Sequence, residues 1–215
     1  MKIIDLTHPI AENMPMYPGT ESPKFHVICN HKDYGFAETQ ISMYSHTGTH
    51  IDAPSHIYAN GLTLDKYPIE QFIGNALVID CRNLKNGEKI SMQLLAHKGK
   101  VLFEAEFILF LTGQSALWGT SNYFGEFPIL SNEVVEWINQ RKLKGIGIDT
   151  PSFDAVTVAE LHNHRAVLKT NNTILIENLH KLEEIGDGIF TLYALPLNTV
   201  NADGAPARVV AIIED

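Results

Sequence analysis

The stretch that most constrains this chain is His46-Thr47-Gly48-Thr49-His50-Ile51-Asp52-Ala53-Pro54-Ser55-His56. It places three histidines and an aspartate within eleven residues, at offsets of 0, 4, 6 and 10. Neutral imidazole and carboxylate are the nitrogen and oxygen donors that Zn²⁺ and Mn²⁺ prefer. A straight strand cannot bring these groups to one site. At about 3.3 Å per residue, His46 and Asp52 would stand roughly 20 Å apart. A plain helix suits the 46/50 spacing, but Gly48 and Pro54 both oppose helix continuation. What remains is a tight turn bent at Gly48, leading into a short irregular stretch that Pro54 keeps from winding further. A histidine-rich surface loop is the competing reading, and this spacing favours the metal site over it.

With 215 residues, 45% apolar and 19% charged, the chain is long enough for one domain, 1–215, with a buried core. The formal net charge is −9 and no basic block is present, which argues against a nucleic-acid partner. Cys29 and Cys81 sit singly in apolar, strand-like runs and read as buried free thiols suited to a reducing compartment. The N-terminal stretch has no basic segment followed by an apolar one. The longest apolar run, Phe107 to Leu111, is too short to span a membrane. The expectation is a soluble, cytoplasmic protein with no membrane partner.

Along the chain, Lys2 to Thr7 reads as a first strand. Ala11 to Pro23 is a loop whose Met14, Met16 and Tyr17 either wall an apolar pocket or tuck inward from an exposed turn. Phe25 to Asn30 and Ala37 to Tyr44 read as a strand pair joined by a polar turn. Buried strands follow at Gly74 to Cys81 and Glu106 to Thr112. Ser91 and Ser131 are placed to cap helices, the second carrying Val134, Val135 and Ile138 at helical spacing. Trp118, Tyr123, Phe124 and Phe127 read singly as packing. Gly145 to Ile148 is a short strand leading into Asp149-Thr150-Pro151-Ser152-Phe153-Asp154, which is either ligand-facing or turn chemistry. The last strands are Phe190 to Leu195 and Ala207 to Glu214.

A second set of donors lies beyond this turn. Thr157 and Glu160 fit a capping box, so a helix is expected from there to about Lys169. His162 and His164 on that helix point about 200° apart. His164 shares the inward stripe of Leu161 and Leu168 and is the better candidate ligand. Glu177 sits in the strand Thr173 to Leu179, where a carboxylate is costly unless paired or bound to a cation. The candidate ligands are thus His46, His50, Asp52, His164 and Glu177. Five donors exceed a closed tetrahedral site; two ions bridged by Asp52 would use them, as would one ion with open positions. Water on such a site has its pKa lowered toward about 7, and this metal-bound hydroxide is a nucleophile at neutral pH. His56 reads as a proton shuttle or as a further ligand.

The run HTGTHIDAPSH resembles the HxGTHxDxPxH motif of the cyclase family of metal-dependent hydrolases, which includes bacterial kynurenine formamidases. The likeness extends to the opening Asp-Leu-Thr-His-Pro-Ile, to Tyr17-Pro18-Gly19, to the Asp149–Asp154 turn, to His164 through Leu179 and to the closing Asp-Gly-Ala-Pro-Ala-Arg-Val. The interval from His164 to Glu177 is one residue longer than the family pattern, with the Asn171-Asn172 turn as the natural place for the addition. The resemblance implies an α/β fold of swivelling β/β/α type with a mixed, barrel-like central sheet, in a homodimer or homotetramer. It implies two Zn²⁺ ions or a single Mn²⁺, His56 as the shuttle, and Tyr17 near the substrate. The activity implied is hydrolysis of a small aryl amide, N-formyl-L-kynurenine giving L-kynurenine and formate. Opening of a cyclic amide such as isatin is the alternative, and a metal-binding protein without turnover is the third.

Overall fold

The computed structural model describes residues 1–214. After β1 (Lys2–Asp5), the chain forms a separate hairpin of β2 (Lys24–Cys29) and β3 (Glu38–Ser42). The polar link between them winds into one helical turn, α1 (His31–Tyr34), because the Asn30 side chain accepts from the Asp33 N–H and Gly35 closes it at φ +76°. Then come β4 (His50–Asp52), β5 (Ile73–Asp80), β6 (Lys89–Ile90), α2 (Met92–Ala96), β7 (Phe107–Leu111) and β8 (Ile129–Leu130). The chain continues through α3 (Asn132–Arg141), β9 (Gly145–Ile148), α4 (His162–Leu168), β10 (Ile174–Glu177), β11 (Phe190–Pro196) and β12 (Gly204–Ile213).

Seven strands close a mixed barrel in the order β12, β11, β5, β7, β9, β10, β4 and back to β12. The neighbours among β5, β7, β9 and β10 run parallel. Their largely apolar runs follow from having both faces covered, one by the barrel interior and one by helices. β12 is long because it serves two neighbours along one edge, β4 beside Gly204–Pro206 and β1 beside Val210–Ile213. The expected barrel-like mixed sheet is therefore present, and closure removes its edges.

Leu6, Ile51, Leu109, Ile176, Leu192 and Val209 fill the barrel. Ile108, Phe110, Ile148, Leu175, Val134 and Ile138 form a second layer between its outer face and the helices. Alternation along the strands fixes where the polar groups go. Ile51 and Ile176 point inward, so His50, Asp52 and Glu177 project from the outer wall, on the side that α4 covers. Among the described residues, no helix is long and apolar enough to cross a membrane.

Four expectations are corrected. The Thr157–Glu160 capping box does not form; α4 begins at His162 after Leu161 at φ +49°. The free N–H groups of Asn163 and His164 are taken instead by the Asp154 carboxylate, at 2.8 and 3.1 Å. A charged acceptor brought in by the preceding turn outcompetes a local Thr cap. Cys81 is buried, but Cys29 is only partly so, because the hairpin that carries it stays largely exposed. Pro54 starts a 3-10 turn, Pro54–His56, rather than ending one, as its fixed φ suits a first helical position. Ser131 caps α3 as expected, whereas Ser91 makes no side-chain capping bond to α2.

Candidate metal centre

Gly48, at φ +65°, makes the bend that carries His46 back over β4. In β4 the alternation puts His50 and Asp52 on one face, and pairing with β10 sets Glu177 directly opposite His50. The pairing is reinforced by Asn178, whose side-chain amide donates to the Gly48 carbonyl at 2.9 Å and whose carbonyl accepts from the Thr49 hydroxyl at 2.6 Å. Helix α4 brings His164 down from above; His162 is exposed. Of the two histidines it is therefore His164 that faces inward, with its Nε2 3.0 Å from Glu177 Oε1.

Asp52 lies at the centre. Its Oδ1 is 2.6 Å from His46 Nδ1 and 3.2 Å from His50 Nε2, and its Oδ2 is 3.3 Å from His164 Nε2. Glu177 faces the same two rings, with Oε2 at 3.5 Å from His50 Nε2 and Oε1 at 3.0 Å from His164 Nε2. Glu177 also accepts from the Phe153 N–H at 3.0 Å. Two groups of potential donor atoms emerge, His50–Asp52–Glu177 and His46–Asp52–His56, and Asp52 belongs to both. His56 sits at the rim, its ring centroid 4.0 Å from that of His46 and 6.1 Å from that of His164.

The electrostatics follow from this crowding. Burial pushes Asp52 toward its neutral form, yet the charges of His46 and His50 and the His164 hydrogen bond hold it well below the usual carboxylate range. Burial pulls His46 down, but Asp52 and Asp203 outweigh it and raise the imidazole to about 9. His164 is likewise raised well above the usual imidazole value; Asp154, Asp52 and Glu177 overcome its desolvation. For His56, burial wins: Asp52 pulls the other way, but His46 and His164 add repulsion, and the ring stays below its ordinary value. Such a set, with two buried carboxylates facing three imidazoles and no thiolate, fits a divalent cation of the zinc or manganese type.

Over the centre opens a cavity of about 680 Å³ walled by Met16, Tyr17, Trp118, Phe124, Val158 and Leu161. Tyr17 meets Phe124 edge-on at 6.3 Å. Tyr17 therefore lies where the pocket reading put it, and Trp118 and Phe124 are wall residues as well as packing, while Tyr123 is fully buried. Two carboxylates were not singled out from the sequence, Asp154 beside His164 and Asp203 beside His46. Both occur in stretches that carry the family likeness, but nothing in their spacing points to a particular histidine.

A closed barrel bearing this donor set under an apolar cleft defines a candidate metal site open to a small molecule. A sequence model for the cyclase family, described as putative cyclase, matches residues 4–155. The chain belongs to that family. Kynurenine formamidase from Bacillus cereus is 30% identical over 209 residues, 96% of this chain and 95% of the relative. That from Bacillus anthracis is 30% identical over 211 residues, 97% and 96% of the two chains. Among solved structures, isatin hydrolase A from Labrenzia aggregata bound to benzyl benzoate aligns with a TM-score of 0.87 at 26% identity, over 100% of this chain and 94% of that one. These relationships make the chain a hydrolase of amide carbon–nitrogen bonds.

Proposed function

We propose that this chain hydrolyses N-formyl-L-kynurenine to L-kynurenine and formate, with His46, His50, Asp52, His164 and Glu177 holding the metal. The observation that carries the reading is Asp52, which faces His46, His50 and His164 and shares the last two with Glu177; these five donors would suit a pair of Zn²⁺ ions. One Mn²⁺ on the same oxygen and nitrogen donors is the alternative loading. When bound, the cation supplies Lewis acidity and an acidified water. The protein's own groups do the rest. Tyr17, Trp118 and Phe124 hold an aryl ring against the cleft wall and exclude water from it. His56, kept largely neutral by burial, is free to accept a proton from the attacking water and return it to the leaving nitrogen.

A second reading is hydrolysis of an uncharged cyclic amide such as isatin. It is favoured by the cavity lining, in which no lysine or arginine stands ready for a substrate carboxylate, and by the likeness to isatin hydrolase A. A cytoplasmic homodimer or homotetramer is the proposed setting, supported by the apolar side chains that the β2–β3 hairpin exposes. The test is cleavage of N-formyl-L-kynurenine and of isatin, followed by absorbance with Zn²⁺ or Mn²⁺ and with a chelator. Replacing His56→Ala should reduce turnover about 10²–10⁴-fold while metal content holds. Full activity in the variant would remove His56 from the mechanism, and metal-dependent opening of isatin alone would select the second reading.

A further inference from the structure

Each of the three imidazoles that face Asp52 turns its other ring nitrogen to an oxygen. His50 Nδ1 lies 2.8 Å from the Gly48 carbonyl, His164 Nδ1 lies 2.7 Å from Asp154 Oδ2, and His46 Nε2 lies 3.0 Å from Asp203 Oδ2. A neutral imidazole that donates one N–H presents a lone pair on the opposite nitrogen, so the acceptor fixes both the tautomer and the plane of the ring. His50 is fixed by main chain, but the other two depend on carboxylates.

Both carboxylates are themselves held in place. Asp154 is buried; it accepts from the main-chain N–H of Asn163 and His164 as well as from the His164 ring. The two main-chain bonds account for a helix cap, but the ring contact is not needed for capping. Asp203 accepts from the Ser45 hydroxyl at 3.3 Å, and its carbonyl accepts from the Ala53 N–H at 2.9 Å, tying it to the strand that carries Asp52. The next residue, Gly204, lies under the His46 ring, where a Cβ would collide with the imidazole carbon between the two nitrogens. The Asp203-Gly204 pair thus both clears the space for the ring and holds its far side.

We infer that Asp154 and Asp203 are positioning residues of the metal centre, each orienting one histidine so that its remaining nitrogen faces the cation, with Gly204 providing the seat for His46. The inference rests on the metal-centre reading above. It is tested on metal-free full-length protein titrated with Co²⁺, reading the visible absorption of the ion and its affinity in competition with a chelating dye. Asp203→Asn should weaken Co²⁺ binding about 10–100-fold and change the absorption band, while the metal-free variant stays folded, its unfolding temperature lowered only by the lost contact to His46. Asp203→Glu should recover part of the loss. Gly204→Ala should act in the same direction by displacing the ring. Asp154→Asn should weaken binding similarly and also lower stability through its cap; if it does not fold, the Asp203 and Gly204 variants decide. Wild-type affinity and spectrum in the folded variants would overturn the assignment. A wild-type protein that takes up no Co²⁺ would overturn the metal reading and this inference with it.

Discussion

The outer wall at β4 and β10 and the β2–β3 hairpin depart from the usual distribution of side chains in opposite senses. On the wall, Asp52 is 1% exposed and Glu177 5%, in a position where an unpaired carboxylate would cost several kcal/mol. On the hairpin, Val27 is 70% exposed, Ile28 53% and Ile41 54%, on a two-stranded ribbon that alone is marginally stable at best. The wall's departure is offset from within. Histidines surround the acids, the barrel closes behind them, and the charges that face one another are complementary. Among the described residues the hairpin's departure is not offset in this way, and both strands stay largely exposed. The wall is a candidate site that the fold itself completes, whereas the hairpin is an exposed apolar surface for which a second copy of the chain is the proposed cover.

Breaking the wall should have the largest effect. Asp52→Ala removes the one carboxylate that touches His46, His50 and His164. Taking about 3–5 kcal/mol for removing one partner of a buried charge set, metal affinity should fall on the order of 10²–10⁴-fold. Elemental analysis after gel filtration checks this, and full metal content in the variant would mean that the donors are not arranged around Asp52. Breaking the hairpin should come next. Val27→Asp combined with Ile41→Asp places charges on the exposed stripe, at roughly 2 kcal/mol or more each if that stripe is covered. Sedimentation velocity should then show dissociation into monomers with metal content unchanged. A wild type that is already monomeric at micromolar concentration would leave the hairpin without the partner assigned to it.

The wall was legible because its constraints are local: β10 announces itself as an apolar run interrupted by Glu177, and His46, His50 and Asp52 share a turn. His164 was separable from His162 by helical geometry alone. The hairpin was legible as two strands but not as an exposed arm, because alternation does not reveal whether any layer covers a face; Cys29 was misplaced for the same reason. The barrel is expected from the family resemblance, but its closure cannot be traced along the chain because the strand order is not sequential, with β12 returning to pair with β4. Asp154 and Asp203 were hidden because their partners are set by tertiary approach, across 10 residues for Asp154 and 157 for Asp203. The false capping box at Thr157 is the same lesson from the other side: a correct local pattern was outcompeted by a carboxylate arriving from a turn.

His8 is a buried histidine that lacks the wall's carboxylates. It is 3% exposed, stacked on Trp118 at 3.8 Å with a 6° interplanar angle and on His180 at 4.4 Å. Its Nε2 finds no hydrogen-bond partner among the described residues. Burial first, and repulsion from His180 second, lower it to about 4, whereas His46 is raised to about 9. Unfolding restores an ordinary value near 6.5. Between about pH 6.5 and 4 the unfolded chain therefore binds the proton that folded His8 refuses, and stability falls as pH drops through that window. The stabilisation is complete above 6.5, and after allowance for solvent screening the loss should be about 1–2 kcal/mol. Phenylalanine can keep the stack on Trp118 and cannot titrate. His8→Phe should consequently lose less thermal stability than wild type between pH 7 and pH 5, by about 3–6 °C for a chain of this size. Parallel losses in the two proteins would show that His8 is not the group refusing the proton, and that aromatic stacking rather than its neutral charge state is what the fold requires there.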